Sequence, residues 1–207
     1  VVENTFRAVN IAFANELAKI CRIGGMDVAE VIRIANKHPR VNILRPGPGV
    51  GGHCIPVDPW FLVGDYPETA SFVRLALQTN ASMPEYVLRR AHEAMAENGI
   101  TDPSKVGIYG LTYKEDVDDV RESPTLQLLE AQAEHLCGSP MRVYDPWVER
   151  DEVPNQVHSM EEFLEGLEMV IVMIGHSEVK DKPEVFGDRV IVDPRDVMGD
   201  GANVYKL

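Results

Sequence analysis

Residues 101–110 read TDPSKVGIYG, and the texture of the chain changes within them. Upstream, apolar residues recur every three or four positions; downstream, they come in short continuous runs. VGIYG (106–110), closed by glycine, predicts a short buried strand, and MRVYD (141–145), MVIVMIG (169–175) and RVIVD (189–193) predict three more. Between them, Ser123 and Pro124 open a helix with Leu126, Leu129, Ala133 and Leu136 inward, and Gly138 suits its stop. A shorter helix is expected over 160–166. Strands alternating with helices predict an α/β fold, a parallel sheet with helices on its faces.

The other half reads as helices. Phe6, Val9, Phe13, Leu17 and Ile20 step by three or four along one amphipathic helix. Asn4, Ala8, Ile11 and Asn15 form a second stripe on it, so two asparagines share a face. Asp27 is placed to cap a second helix with Val28, Val31, Ile32 and Ala35 inward. A helix is expected from about Glu68 to Asn80. Ser82 and Glu85 then have capping-box spacing, with Pro84 in the first turn of a helix running towards Gly99. The boundary drawn near residues 98–105 gives a helical domain over 1–99 and a parallel-sheet domain over 100–207.

Composition excludes some classes of function. A formal net charge of −13 argues against nucleic acid or an anionic membrane as the main partner, while leaving room for a local basic pocket. The run MVIVMIG is far too short to span a bilayer, and VVENTFRAVN lacks the apolar core of a signal peptide. Cys21, Cys54 and Cys137 are odd in number and widely spaced, which fits a reducing cytoplasm better than a disulfide framework.

The stretch HPRVNILRPGPGVGGHCIPVDPWF (38–61) interrupts the helices. Gly47, Gly49 and Gly52 match the dinucleotide spacing G-x-G-x-x-G, but they lead into HCIPVDP, whose prolines oppose a following helix, and no βαβ unit surrounds them. His38, His53 and Cys54 lack the partner spacing of a metal site. Two readings stay open on the residues alone. One is a tight turn with an inert buried cysteine. The other is a nucleophile, Cys54, supported by the close backbone approach that glycine permits, with Asp58 four residues on able to hold or polarise a water.

GPGVGGHCIPVDPWFL (47–62) resembles the catalytic-cysteine segment of the UDP-glucose/GDP-mannose dehydrogenase family. ENTFRAVNIAFANELAKIC (3–21) is similar to its central helix, GLTYKEDVDDVRESPTLQLLE (110–130) to the opening of its C-terminal nucleotide-sugar domain, and VDPRDV (192–197) to an arginine-bearing segment near its end. The resemblance implies a helical dimerisation domain followed by a Rossmann-like UDP-binding domain. It implies an NAD-dependent two-step oxidation of a UDP-sugar at C6. In that chemistry Cys54 forms the thiohemiacetal and thioester, Asp58 lies near the attacking water, and Asn4 works with a lysine on the reacting oxygen. Lys114 then contacts the substrate's diphosphate and sugar, Arg195 belongs to the UDP pocket, Arg40 reaches the substrate across a homodimer interface, and Gly49 and His53 line the substrate side of the loop. Arg121 reaches the NAD phosphates. The family's lysine lies four residues before its asparagine, which falls just before Val1, and its N-terminal NAD-binding domain has no counterpart here. The resemblance therefore implies the C-terminal part of a longer enzyme, inactive alone. His53 before the cysteine and Val57 in place of a lysine look like the branch that oxidises UDP-N-acetylhexosamines, UDP-N-acetylmannosamine above all, with UDP-N-acetylglucosamine and UDP-glucose as alternatives. A non-catalytic UDP-sugar-binding or dimerisation module and a cysteine hydrolase are the rival readings.

Overall fold

The computed structural model describes residues 1–135 and 141–207. Five helices come first: α1 (Val2–Ile23), α2 (Val28–Ala35), α3 (Asp58–Asp65), α4 (Ser71–Ala81) and α5 (Met83–Glu97). The sheet half follows as β1 (Val106–Tyr109), α6 (Pro124–His135), β2 (Arg142–Tyr144), β3 (Gln156–Val157), α7 (Met160–Leu164), β4 (Met169–Val172), β5 (Val190–Asp193) and β6 (Val204–Lys206). The strands pair in the order β3-β2-β1-β4-β5-β6, all parallel. The α/β fold read from the sequence is the one observed.

The strands of β1, β4 and β5 are buried on both faces, which is why they spell continuous apolar runs. One face packs against α5 and α6: Val87, Leu88, Ala91 and Met95 meet Ile108, Leu128, Ile171 and Val192 in one core cluster. The opposite face carries Tyr109, Tyr144, Phe163, Leu167 and Phe186. So α5 follows α4 with only Ser82 between, yet it is built into the core of the sheet.

Several expectations need correction. The stripe Phe6, Phe13 and Ile20 is exposed; α1 buries its small and polar face instead, Thr5, Ala8, Ala12, Asn15, Ala18 and Cys21. The Ser82–Glu85 capping box does not form, because Ser82 keeps helical dihedrals and its hydroxyl donates back to the Thr79 carbonyl at 2.8 Å. Helix α3 is unexpected: Pro59 occupies the first turn, where a missing N–H costs nothing. Strands β3 and β6 are too short and too polar to declare themselves. In α6 the buried face runs through Thr125, Leu128 and Gln132, with Ala133 exposed; Leu136 and Gly138 lie outside the described residues.

Gly107 shows how tightly β1 is covered. A Cβ there would run into the Leu167 side chain and lie 2.7 Å from the Phe163 ring. Gly107→Ala should therefore lower unfolding free energy by about 1–3 kcal/mol through overpacking. Urea denaturation checks this, and an unchanged midpoint would contradict the close packing of α7 on β1.

Candidate active site

The segment entering the glycine loop has no strand partner. Asparagine amides, which carry a donor and an acceptor as a peptide does, take that place. Asn10 on α1 donates to Asn42 O at 2.7 Å and accepts from Leu44 N at 2.9 Å. Asn36 brackets Ile43 in the same manner at 2.9 and 2.8 Å. Buried Asn15 accepts from Gly47 N at 2.9 Å and donates to Asn80, whose own amide donates to Ala8 O.

The glycines then bring the loop against the β1–α6 connection. A Cβ on Gly51 would lie 2.6 Å from Tyr113 Cβ and 2.7 Å from Glu122 O. Gly52 N donates to Arg121 O at 3.0 Å. Gly49 and Gly52 have φ of 134° and 85°, in the region that disfavours side chains, and Gly49 lies against Pro124. These glycines are packing residues between the two halves, in keeping with the lack of a βαβ unit around them.

Cys54 follows at the surface with an exposed side chain. Its carbonyl accepts from Asp58 N at 2.8 Å, an i to i+4 bond that starts the turn into α3. The carboxylate of Asp58, first residue of α3, accepts from Asn4 Nδ2 at 2.7 Å, tying the start of α1 to the start of α3. The backbone nitrogen of Val1 lies 4.0 Å from the same carboxylate. Cys54, Asp58 and Asn4 are thus brought together at one corner. His53 is exposed beside them.

The remaining candidates lie at the carboxyl ends of the strands. The connections leave β1 and β4 in opposite directions, and the crevice between such strands is where parallel α/β sheets bind ligands. Lys114, just past β1, is exposed, and its ammonium has no hydrogen bond or ion pair among the described residues. Arg121 is exposed and forks onto Asp119, with Nη2 2.5 Å from Oδ2. The Arg121 side chain and, on the same carboxylate, the Arg121 backbone N–H pull Asp119 down to about 2. Arg195, past β5, is partly buried and donates through Nε to Met173 O at 2.6 Å. Burial pushes the Arg195 guanidinium down, while Glu115 and Asp193 act in the opposite direction.

Arg195 also borders a cleft of about 1110 Å³ between α2 and residues 43–46 on one wall and residues 193–207 on the other. Arg45 and Lys206 share its lining, Lys206 being paired with Asp196 and Asp200. Neither Cys54 nor Lys114 lines it. Arg40 is exposed after α2, and its side chain makes no hydrogen bond or ion pair among the described residues. Among those residues no three His, Cys, Asp or Glu side chains converge as metal ligands, and no helix is long and apolar enough to cross a membrane.

Sequence reasoning missed the buried polar residues behind these loops. Asp145 accepts from Leu111 N, Thr112 N and Trp147 N; Asp193 accepts from Arg195 N, Val197 N and Met198 N. Burial raises Asp145, but His176 and the backbone N–H groups outweigh it and leave it lowered; in Asp193 burial wins and the carboxyl is raised. The signal was available: both end an apolar strand with the spelling Asp-Pro.

Comparison with known proteins gives a consistent result. The model of the UDP-glucose/GDP-mannose dehydrogenase family central domain matches residues 1–82, and that of the family's UDP binding domain matches residues 107–206. The UDP-N-acetyl-D-mannosamine dehydrogenase of Methanococcus vannielii is 41% identical over 206 residues, 96% of this chain and 47% of that protein. The structure of UDP-D-ManNAc dehydrogenase from Pyrococcus horikoshii superposes with a TM-score of 0.85 at 36% identity, covering 99% of this chain and 49% of that one. That of UDP-N-acetyl-mannosamine dehydrogenase from Staphylococcus aureus gives 0.84 at 40% identity, covering 99% and 49%. The chain thus spans about half the length of the curated relatives it matches.

Proposed function

Because the chain belongs to the UDP-glucose/GDP-mannose dehydrogenase family, we propose that it is the nucleophile-bearing and UDP-sugar-binding part of an NAD-dependent UDP-N-acetylmannosamine 6-dehydrogenase. The observation that carries this is the Asn4–Asp58 hydrogen bond at 2.7 Å, one helical turn from the exposed Cys54. It gathers a thiol, a carboxylate and an amide donor where covalent oxidation of an aldehyde needs them. The sugar is taken from the names of the relatives, which act on UDP-N-acetylmannosamine.

In the reaction, two molecules of NAD, bound in turn, would each take up one of the two hydrides that leave C6. Of this chain's residues, Arg121 is offered to the cofactor's phosphates; its exposed guanidinium fits that fringe role once it leaves Asp119. Cys54 Sγ bonds to the aldehyde carbon of the half-oxidised sugar. The resulting thiohemiacetal, once oxidised, is a thioester. Water, held by Asp58, cleaves the C–S bond and releases the acid and the free thiol. Asn4 donates to the oxygen that gains negative charge at each addition. Lys114 and Arg195 hold the diphosphate and uridine end, with Gly49 and His53 on the substrate side of the loop. The chain's own residues supply no hydride acceptor, so turnover belongs to the chain joined to an NAD-binding domain.

The exposed stripe Phe6, Phe13, Ile20 and Ile23 is the face we assign to a homodimer, which would bring Arg40 to the partner's substrate.

Three measurements test this. UDP should bind this chain in titration calorimetry, and Lys114→Ala and Arg195→Ala should each weaken binding about tenfold, as expected for losing a charge-assisted contact; no binding by the unaltered chain would refute the nucleotide role. In the chain joined to its NAD-binding domain, Cys54→Ser should abolish acid production, and normal acid formation would sink the covalent route. Light scattering should return twice the monomer mass, and a monomer at micromolar concentration would count against the dimer.

A further inference from the structure

A second polar cluster, apart from the cysteine corner, is enclosed at the carboxyl ends of β1, β2 and β4. The Asp145 and His176 side chains are both wholly buried and lie 3.1 Å apart, Oδ2 to Nε2. The same Oδ2 accepts from Leu111 N at 2.6 Å and Thr112 N at 3.0 Å, while Oδ1 accepts from Trp147 N at 2.8 Å. On the far side of the ring, His176 Nδ1 accepts from Asp116 N at 2.9 Å. An atom that accepts an N–H carries no proton, so the ring proton is on Nε2 and is donated to Asp145. The ring plane is fixed by Tyr109, edge-on at 5.8 Å, whose hydroxyl is held 3.1 Å from Glu178.

The backbone this cluster grips is the Lys114 loop. Leu111 N and Thr112 N end on Asp145, and Asp116 N ends on His176. Lys114 O accepts from Thr112 Oγ1 at 2.9 Å, and that hydroxyl lies 3.5 Å from His176 Nε2. Asp116 adopts φ of 55°, a conformation that a non-glycine residue holds only when its surroundings impose it. Its carboxylate turns back to Ser177 N at 3.0 Å and to the Ser177 hydroxyl. The loop has neither helix nor ladder hydrogen bonds over Leu111–Asp116; apart from Tyr113 N donating to Asp119 O at 3.0 Å, its backbone N–H contacts end on this pair. The Arg195 loop is held by Asp193, which shares no hydrogen-bond partner with Asp145 or His176, and Glu115 of the Lys114 loop reaches it only through its charge.

We propose that Asp145 and His176 are positioning residues for nucleotide binding: without touching the ligand, the buried pair fixes Leu111–Asp116 so that the Lys114 ammonium meets the diphosphate. This rests on the UDP-sugar reading of Lys114. It makes a claim that a general stabilising role does not: the effect of His176 must pass through Lys114 and not through Arg195.

The test is a double-mutant cycle read by UDP calorimetry on this chain, with amide hydrogen exchange as a second measurement. His176→Phe should weaken UDP binding about tenfold in the unaltered background, by less than about twofold in Lys114→Ala, and by the full factor in Arg195→Ala. His176→Asn, which can return an acceptor near the Nδ1 position, should bind more tightly than His176→Phe and serves if the latter folds poorly. Exchange at the Asp116 amide should accelerate in His176→Phe while amides of β4 stay protected. An equal loss of affinity in the unaltered and Lys114→Ala backgrounds would overturn the proposal, as would an Asp116 amide that exchanges at its original rate. If the unaltered chain binds no UDP, the function proposed above fails instead, and the exchange rates alone then uphold or overturn the hold of the pair on the loop.

Discussion

The approach of the glycine loop to the β1–α6 connection is the contact on which the rest of the arrangement hangs. At Gly51 the two backbones are so close that a single added carbon would stand 2.6 Å from Tyr113 Cβ. Any side chain there would push the loop outward and carry Cys54 with it. The loop is held from behind by asparagines of α1 and from the front by residues 113–124, so the thiol's position is set by both halves at once. The thiol is placed by packing, and the absence of side chains at three positions is what allows it.

Electrostatics at the sheet follow a related economy. The chain carries a formal net charge of −13, yet its proposed ligand is a polyanion. Two carboxylates at the ligand end of the sheet are turned inward: Asp145 and Asp193 are occupied by backbone N–H groups and, in one case, by histidine. Lys114 and Arg45 are left without acidic partners among the described residues. Arg121 is the exception. Its Asp119 partner is stabilised as the anion down to about pH 2, so the guanidinium must exchange one anion for another to reach a phosphate. The gain from that exchange is the difference between two ion pairs, smaller than a free arginine would give.

Much of this was legible in the sequence where the physics is local. Buried parallel strands must be apolar throughout, so VGIY and MVIV announced themselves. Asp27 caps α2 as its position before an apolar periodic run predicted, with its carboxylate 2.8 Å from Ala29 N. The failures arise where a longer-range contact overrode a local signal. Phe6, Phe13 and Ile20 spell a core stripe, but α1 meets α3 and α4 through alanines and asparagines. Ser82 has a cap's spelling, but it keeps helical dihedrals between the two helices, so no extended residue is left to act as one. Strand β6 is defined by the neighbour it pairs with, since Val204–Lys206 has no apolar run of its own. At the site, Cys54 and Asp58 were readable because they share a turn. The Asn4–Asp58 bond spans 54 positions, and the His176–Asp145 contact spans 31; no local pattern encodes either.

Helix α5 has a mechanical consequence. It continues from α4 across one residue, yet its apolar face is part of the same core as β1, β4 and β5. Arg90 extends the join, reaching from α5 to the carbonyl of Lys206 in the edge strand β6, with its guanidinium over the Tyr205 ring. Helix α5 therefore moves with the sheet, and Ser82 is the joint between it and the helices that carry Cys54. Swinging those helices against the sheet would turn about Ser82 and would first have to open the contacts of Gly51 and Gly52 with residues 113–122.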